Sequence, residues 1–201
     1  MMRYTIKRDV QAQIKVLRSE FIAFLYRVED TAEAQEILRR HQTEYQNATH
    51  NCYAYVLGFE GENQYYSDAG EPGGTAGKPI LNSLLRHDLS GVLAVVTRYF
   101  GGIKLGVKGL IDAYTLATTE AIKLAEMQEY QKHICFNLTS NYAHIETIRH
   151  HLAVLGAEEQ DAQYGEGVRL SYQIAESSWG AASEFLDGYK ALGRLDYQAE
   201  E

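Results

Sequence analysis

Two glycine-rich stretches carry most of the residue types able to do chemistry. The first runs from Asp68 to Lys78 and holds Gly70, Gly73, Gly74 and Gly77, with Glu71 and Thr75 among them. The second runs from Gly101 to Gly109 and holds Gly101, Gly102, Gly106 and Gly109, with Lys104 and Lys108. Glycine admits positive φ and close backbone approach, so successive N–H groups can converge on an anion. A helix that starts directly after such a loop adds about half a positive charge at its N-terminus. Arg98, Lys104 and Lys108 fall within eleven consecutive residues that contain no Asp or Glu. This pattern suits phosphate, and it equally suits two tight loops with solvated lysines. Neither loop is a P-loop. GxxxxGK[ST] ending at Lys78 needs Gly at position 72 and Ser or Thr at 79, where Pro72 and Pro79 stand.

Other groups compete for attention. His50 and Cys52, two apart on an extended segment, point to the same side, as a thiol and its base would. Nucleophilic catalysis also needs an oxyanion site and an orienting group, so a structural thiol is the competing reading. Asp68 and Glu71 are a carboxylate pair suited to acid–base or Mg²⁺ work, or to capping backbone N–H groups. With Thr75 they are assigned here to structuring the loop. Tyr99-Phe100 follows Arg98, and aromatics beside cations stack on unpaired bases, although on strands they also build cores. His144 and His151 have no carboxylate or thiol at ligand spacing, so no metal or other cofactor is expected. No catalytic residue is assigned. The chain leans away from being an enzyme.

These groups must be held by a regular framework. Tyr4 to Ile6, Gln11 to Leu17 and Phe21 to Val28 read as strands. Asp30, with Glu33 three residues on, opens a helix to about Tyr45 with Ala34, Ile37, Leu38 and Tyr45 on one stripe. Cys52 to Leu57 and Gln64 to Ser67 are strands. Pro79 suits the first turn of a short helix through Arg86. Gly91 to Arg98 is a buried-type strand. A helix runs from about Lys108 to Glu126, with Leu110, Tyr114, Ala117, Ala121 and Leu124 as its stripe. From about residue 131 the order is strand 134–138, helix 141–155, hairpin 157–174, helix from Ser177 or Ser178 to Leu192, and strand 195–197. That is βαββαβ, a ferredoxin-like split unit. The domains are therefore residues 1–130 and 131–201, in an α/β (α+β) chain.

Composition narrows the function classes. The 201 residues are 45% hydrophobic and 23% charged, ordinary for a globular protein and wrong for a disordered or fibrous one. No apolar run approaches the ~18 residues of a membrane span, and the N-terminus has no secretory h-region. Cys52 and Cys135 form no CxxC pair and are expected as buried thiols in a reducing cytoplasm. The net charge of −8 is uneven. Residues 1–130 hold 14 Lys/Arg against 16 Asp/Glu, and residues 131–201 hold 5 against 11. An acidic chain is a poor non-specific binder of duplex phosphate, but it can still hold a local anion site.

Three motifs resemble one family. They are Ala48-Thr49-His50-Asn51-Cys52-Tyr53-Ala54-Tyr55, Gly70-Glu71-Pro72 through Thr75-Ala76-Gly77-Lys78-Pro79-Ile80-Leu81, and Val96-Thr97-Arg98-Tyr99-Phe100-Gly101-Gly102-Ile103-Lys104-Leu105-Gly106. In this order they are similar to the YigZ/IMPACT family over about residues 10–125, in its bacterial arrangement. The resemblance implies an N-terminal domain like the second domain of a small-subunit ribosomal protein, with a left-handed βαβ crossover. It implies a C-terminal domain resembling the last domain of elongation factor G. Eukaryotic relatives regulate translation under amino-acid stress. The sequence departs from the family at Ala69 and Gly73, where Asp and Ser are usual. It also departs at Lys108 and Asp112, where Gly and Arg are usual.

The leading expectation is a cytoplasmic RNA- or ribosome-associated binding protein that regulates translation under stress. Arg98, Lys104, Lys108 and Lys78 would contact phosphate. The N–H groups of Gly101, Gly102 and Gly106 would line the loop, and Tyr99 or His50 would touch a base. The alternatives are a protein partner docked on the acidic C-terminal domain, and an enzyme on a small phosphorylated or peptide-like ligand using His50, Cys52, Asp68 or Glu71. The sequence assigns no membrane partner and no oligomeric state.

Overall fold

The computed structural model describes residues 3–199. The chain divides into two compact units, Met1–Tyr130 and Gln131–Glu201.

In the first unit, β1 (Tyr4–Ile6) leads into the hairpin of β2 (Val10–Val16) and β3 (Ser19–Arg27). Helix α1 (Thr31–Glu44) follows, then β4 (His50–Leu57) and β5 (Asn63–Ser67). Helix α2 (Gly77–Arg86), β6 (Val92–Tyr99), α3 (Gly106–Leu124) and β7 (Met127–Glu129) complete the unit. Five strands form one sheet in the order β2-β3-β6-β4-β5, every neighbouring pair antiparallel. β3 and β4 both pair with β6, so they run parallel to each other with β6 between, and α1 makes the crossover. α2 makes a second crossover, from β5 to β6, past β4.

The period of two along a strand divides the sheet's faces. On β6, Val92, Ala94 and Val96 pack towards α2 and α3 with Cys52, Ala54 and Val56 of β4. Leu93 and Val95 face α1 with Tyr55, Leu57 and Leu38. β6 is therefore covered on both sides, which is why it reads as a continuous apolar run. Each fully buried Val, Leu or Ile on these faces is worth roughly 1.5–3 kcal/mol. The α1 start follows its sequence signal. Asp30 accepts from the Glu33 amide at 2.8 Å, while Glu33 reaches back to the Glu29 amide at 2.8 Å.

The α1 face hides a polar chain. His41 is 2% exposed, with Nδ1 2.8 Å from the Tyr26 hydroxyl and Nε2 2.8 Å from Thr97 Oγ1. Thr97 gives its only proton to Asn51 Oδ1, so Nε2 must donate and Nδ1 accepts from Tyr26. Burial lowers the His41 pKa to about 4.

The second unit holds β8 (His133–Ser140), α4 (Ile145–Val154), β9 (Glu158–Tyr164), β10 (Val168–Ala175), α5 (Glu176–Ala191) and β11 (Leu195–Ala199). Its antiparallel sheet has the order β11-β8-β10-β9, the arrangement of a βαββαβ split unit. Phe136, Leu138, Leu170, Tyr172 and Ile174 pack under Ile148 and Leu152 of α4 and Leu186 of α5. The β9–β10 register slips between Ser171 and Tyr172, passing over Gln160. Glu159 there accepts from the Tyr172 hydroxyl at 3.0 Å and from both ends of the Arg149 fork.

Several expectations are corrected. β7 went unread, because a three-residue strand has no periodicity and exists through its pairing with β1. α3 begins at Gly106, not Lys108. α4 begins at Ile145, since Asn141 Oδ1 accepts the Ala143 amide and holds residues 141–144 in a turn. α5 begins at Glu176 behind Ala175, so neither Ser177 nor Ser178 caps it. Cys135 lies exposed, on the face of β8 opposite Phe136 and Leu138. No described helix is long and apolar enough to cross a membrane.

Candidate functional site

β4 and β6 pair with His50 opposite Arg98, which sets both side chains on one face of the sheet. The β5–α2 loop brings Glu71 and Pro72 over them. The β6–α3 loop adds Phe100 and Lys104, and Gly106 and Val107 of α3 close the ring. Together they line a cavity of about 420 Å³.

Glu71 sits in its wall with a side chain only 3% exposed. Its Oε1 accepts from Arg98 Nη1 at 2.5 Å and from the Tyr114 hydroxyl at 2.9 Å. The Arg98 guanidinium is held between the rings of Phe21 and Phe100, each 5.3 Å from its carbon. Nη2 donates to Ser19 Oγ at 3.3 Å, and Nε is buried with no hydrogen-bond partner. Arg98 therefore departs from the expected open phosphate contact. It is a buried cation matched by a buried carboxylate, and it shapes the cavity wall.

His50 Nδ1 is 2.9 Å from the Ala69 carbonyl, which can only accept. Nδ1 thus carries a proton, and Nε2 lies 3.9 Å from Glu71 Oε2. Cys52 shares this face but not this partner. Its thiol donates to the Asp68 carbonyl at 2.9 Å and lies 3.4 Å from the Tyr114 hydroxyl. Burial pushes the thiol up to about 12, so it stays protonated at neutral pH and is no nucleophile. Burial also raises Tyr114 far above the ordinary phenol range.

The first glycine loop is wound on its own carboxylate. Asp68 accepts from the amides of Gly74, Ala76 and Gly77 at 2.8, 2.9 and 2.8 Å. Thr75 Oγ1 donates to the Pro72 carbonyl at 2.7 Å. The N–H groups that suggested an anion cradle at the start of α2 are thus occupied from within. Gly77 also lies so close to β5 that a Cβ would fall 2.7 Å from Ser67 backbone. Ala69, where the family usually carries Asp, holds φ at +44°, a left-handed position that Asp tolerates better.

The second loop is different. Gly101 is spent on structure: its amide donates to Ser19 Oγ at 3.3 Å, and a Cβ would meet the Arg18 carbonyl at 1.8 Å. Gly102 and Gly106 hold φ of +85° and +72°, and a Cβ at either would meet open space. α3 starts at Gly106 with no side-chain cap. Lys104 lines the cavity, and Lys108 is exposed one turn on. Neither makes an ion pair among the described residues, and Lys108 does not pair with Asp112.

Two expected members are not brought here. Tyr99 follows Arg98 on β6 and so lies on the opposite face of the sheet. Phe100, 44% exposed, is the aromatic in the cavity wall. Lys78 is exposed on α2 and lines a separate cavity. Sequence reasoning paired Phe100 with Tyr99 but gave the base contact to Tyr99, and it missed Tyr114 as a site residue. Strand alternation would have separated Phe100 from Tyr99, but nothing in the α3 stripe marks a Tyr114 hydroxyl aimed at Glu71. Among the described residues no three His, Cys, Asp or Glu side chains cluster as a metal site.

The three motifs quoted above thus converge on one cavity wall, and comparison with known proteins places them. A sequence model of the Impact N-terminal domain matches residues 17–122. The IMPACT family member YvyE of Bacillus subtilis is 36% identical over 183 residues, covering 91% of this chain and 84% of that protein. An IMPACT family member of Haemophilus influenzae is 32% identical over 197 residues, covering 97% and 95%. A crystal structure described as a hypothetical protein aligns with a TM-score of 0.73 at 27% identity, covering 100% of this chain and 98% of that one. The chain belongs to the IMPACT family.

Proposed function

We propose that this chain binds single-stranded RNA through the cavity between His50, Phe100 and the start of α3, and that it acts in translation, at the ribosome, in the cytoplasm. The observation that carries the reading is the charge around that cavity. Glu71 and Arg98 neutralise each other in its wall. What remains is Lys104 and the uncapped N-terminus of a 19-residue helix, both positive, with no exposed carboxylate among the lining residues. A phosphate on Lys104 and the Gly106 and Val107 amides satisfies that balance. Exposed Phe100 offers a base a stacking face, and base–aromatic stacking is worth roughly 1–3 kcal/mol. His50 lines the same cavity and offers a base edge its ring nitrogen Nε2. A role in translation stress rests on the family resemblance.

The test is fluorescence anisotropy with labelled single-stranded RNA at low and moderate salt, comparing wild type with Lys104→Glu/Lys108→Glu. Arg98 is left alone, since Glu there would face Glu71 and unfold the site. Salt-sensitive binding lost in the double variant supports the reading. Absence of binding by wild type at low salt overturns it.

A further inference from the structure

A second cavity, of about 310 Å³, opens between α2 and α3. Lys78, Asn82 and Arg86 line it from α2, at i, i+4 and i+8, so that cation, amide and cation follow one another along one face of the helix. All three are exposed, and neither Lys78 nor Arg86 makes an ion pair among the described residues. No carboxylate lines this cavity. Asp112 is the only acidic residue between Asp88 and Glu120.

The two cavities share one helix. Val107 lines the first, while Ile111 and Thr115 line the second. These residues are four apart on α3, so they form one row, with about 6 Å from each to the next and about 12 Å overall. At the roughly 3.4 Å rise of a stacked strand, that row spans about three to four nucleotides. The β5–α2 loop touches both, Pro72 at the first and Gly74 at the second. A mononucleotide or free phosphate fills one cavity only. Two cationic stations with no exposed carboxylate in their lining, set along a single helix row, call for a polyanion with spaced charges.

We infer that the second cavity is the next station of the same single-stranded RNA. One nucleotide is held at Phe100 and the start of α3, and the strand runs along Val107, Ile111 and Thr115. The following phosphates rest on Lys78 and on the Arg86 guanidinium, which suits bidentate phosphate contact. Asn82 hydrogen-bonds a sugar or base edge. This inference rests on the RNA reading of the first cavity.

The experiment measures anisotropy of labelled single-stranded RNA of two and of eight nucleotides, over a salt series. It compares wild type, Lys78→Ala/Arg86→Ala, and Phe100→Ala/Lys104→Ala. Wild type is expected to bind the octamer more tightly, with a log–log salt slope of about −2 for the three cationic contacts Lys104, Lys78 and Arg86 at roughly −0.7 each. Lys78→Ala/Arg86→Ala is expected to cut that slope to about −0.7 and bring the octamer down to the dinucleotide's affinity, with dinucleotide binding unchanged. Phe100→Ala/Lys104→Ala is expected to weaken both RNAs. Equal wild-type affinity for the two lengths, or wild-type octamer binding by Lys78→Ala/Arg86→Ala, overturns the track and leaves the first cavity standing. No wild-type binding to either RNA overturns both.

Discussion

Glu71 and Arg98 stand 27 residues apart in sequence and meet in the wall of the cavity. Removing one partner of such a buried pair strands the other charge, at a cost of about 3–5 kcal/mol, whereas replacing both is far milder. Glu71→Gln and Arg98→Met are each expected to lower unfolding free energy by about 3 kcal/mol in urea melts. The double variant is expected to lose much less than the sum. Additive losses would show that the two side chains are not coupled. His41 is a second test at this scale. The unfolded ring titrates near 6.5 and the folded ring near 4. Between those values the unfolded chain binds the extra proton, so stability falls as pH falls. The contribution is complete above pH 6.5 and declines by roughly 3 kcal/mol on the way to pH 4. His41→Gln is expected to flatten that limb of a stability–pH curve. An unchanged limb would locate the acid sensitivity elsewhere. Neither cluster was legible in the sequence. The α1 stripe of Ala34, Ile37, Leu38 and Tyr45 passes over His41, since a histidine on an apolar row shows its partners only once Tyr26 and Thr97 are beside it.

Elements were easier to read than contacts, for a physical reason. Hydrophobic period and capping chemistry are local, so β3, α1, β6 and the βαββαβ order follow from their own residues. β7 does not, because its pairing partner lies at the other end of the unit. Nor does the division of labour among the glycines. Gly101 and Gly102 look alike in sequence. Yet a Cβ at Gly101 would strike the Arg18 carbonyl, while at Gly102 it would meet only open space at positive φ. Gly102→Ala is expected to cost about 1–2 kcal/mol, the price of a left-handed alanine. Gly101→Ala, which must push the β2–β3 turn away, is expected to lower the thermal midpoint much further. Equal shifts in a thermal scan would contradict the close approach. Asp68→Ala is expected to cost at least about 2 kcal/mol, because three amides at the start of α2 lose one acceptor.

For the whole molecule, the charge partition and the two separate cores frame the function. The acidic excess lies in residues 131–201, while the cationic cavities, with no exposed carboxylate in their lining, lie on α2, α3 and the loop before α3, within the first unit. The motifs that identified the family also build the cavity, so its location was legible. The content was not: Arg98 looked like an open cation, and only the fold shows it facing Glu71. The most direct measurement is photocrosslinking of a 4-thiouridine-labelled single-stranded RNA to the full chain, with the crosslinked peptides identified by mass spectrometry. The account expects crosslinks in residues 98–108, centred on Phe100, and their loss in Lys104→Glu/Lys108→Glu. Crosslinks confined to residues 131–201, or unaffected by that substitution, would contradict it.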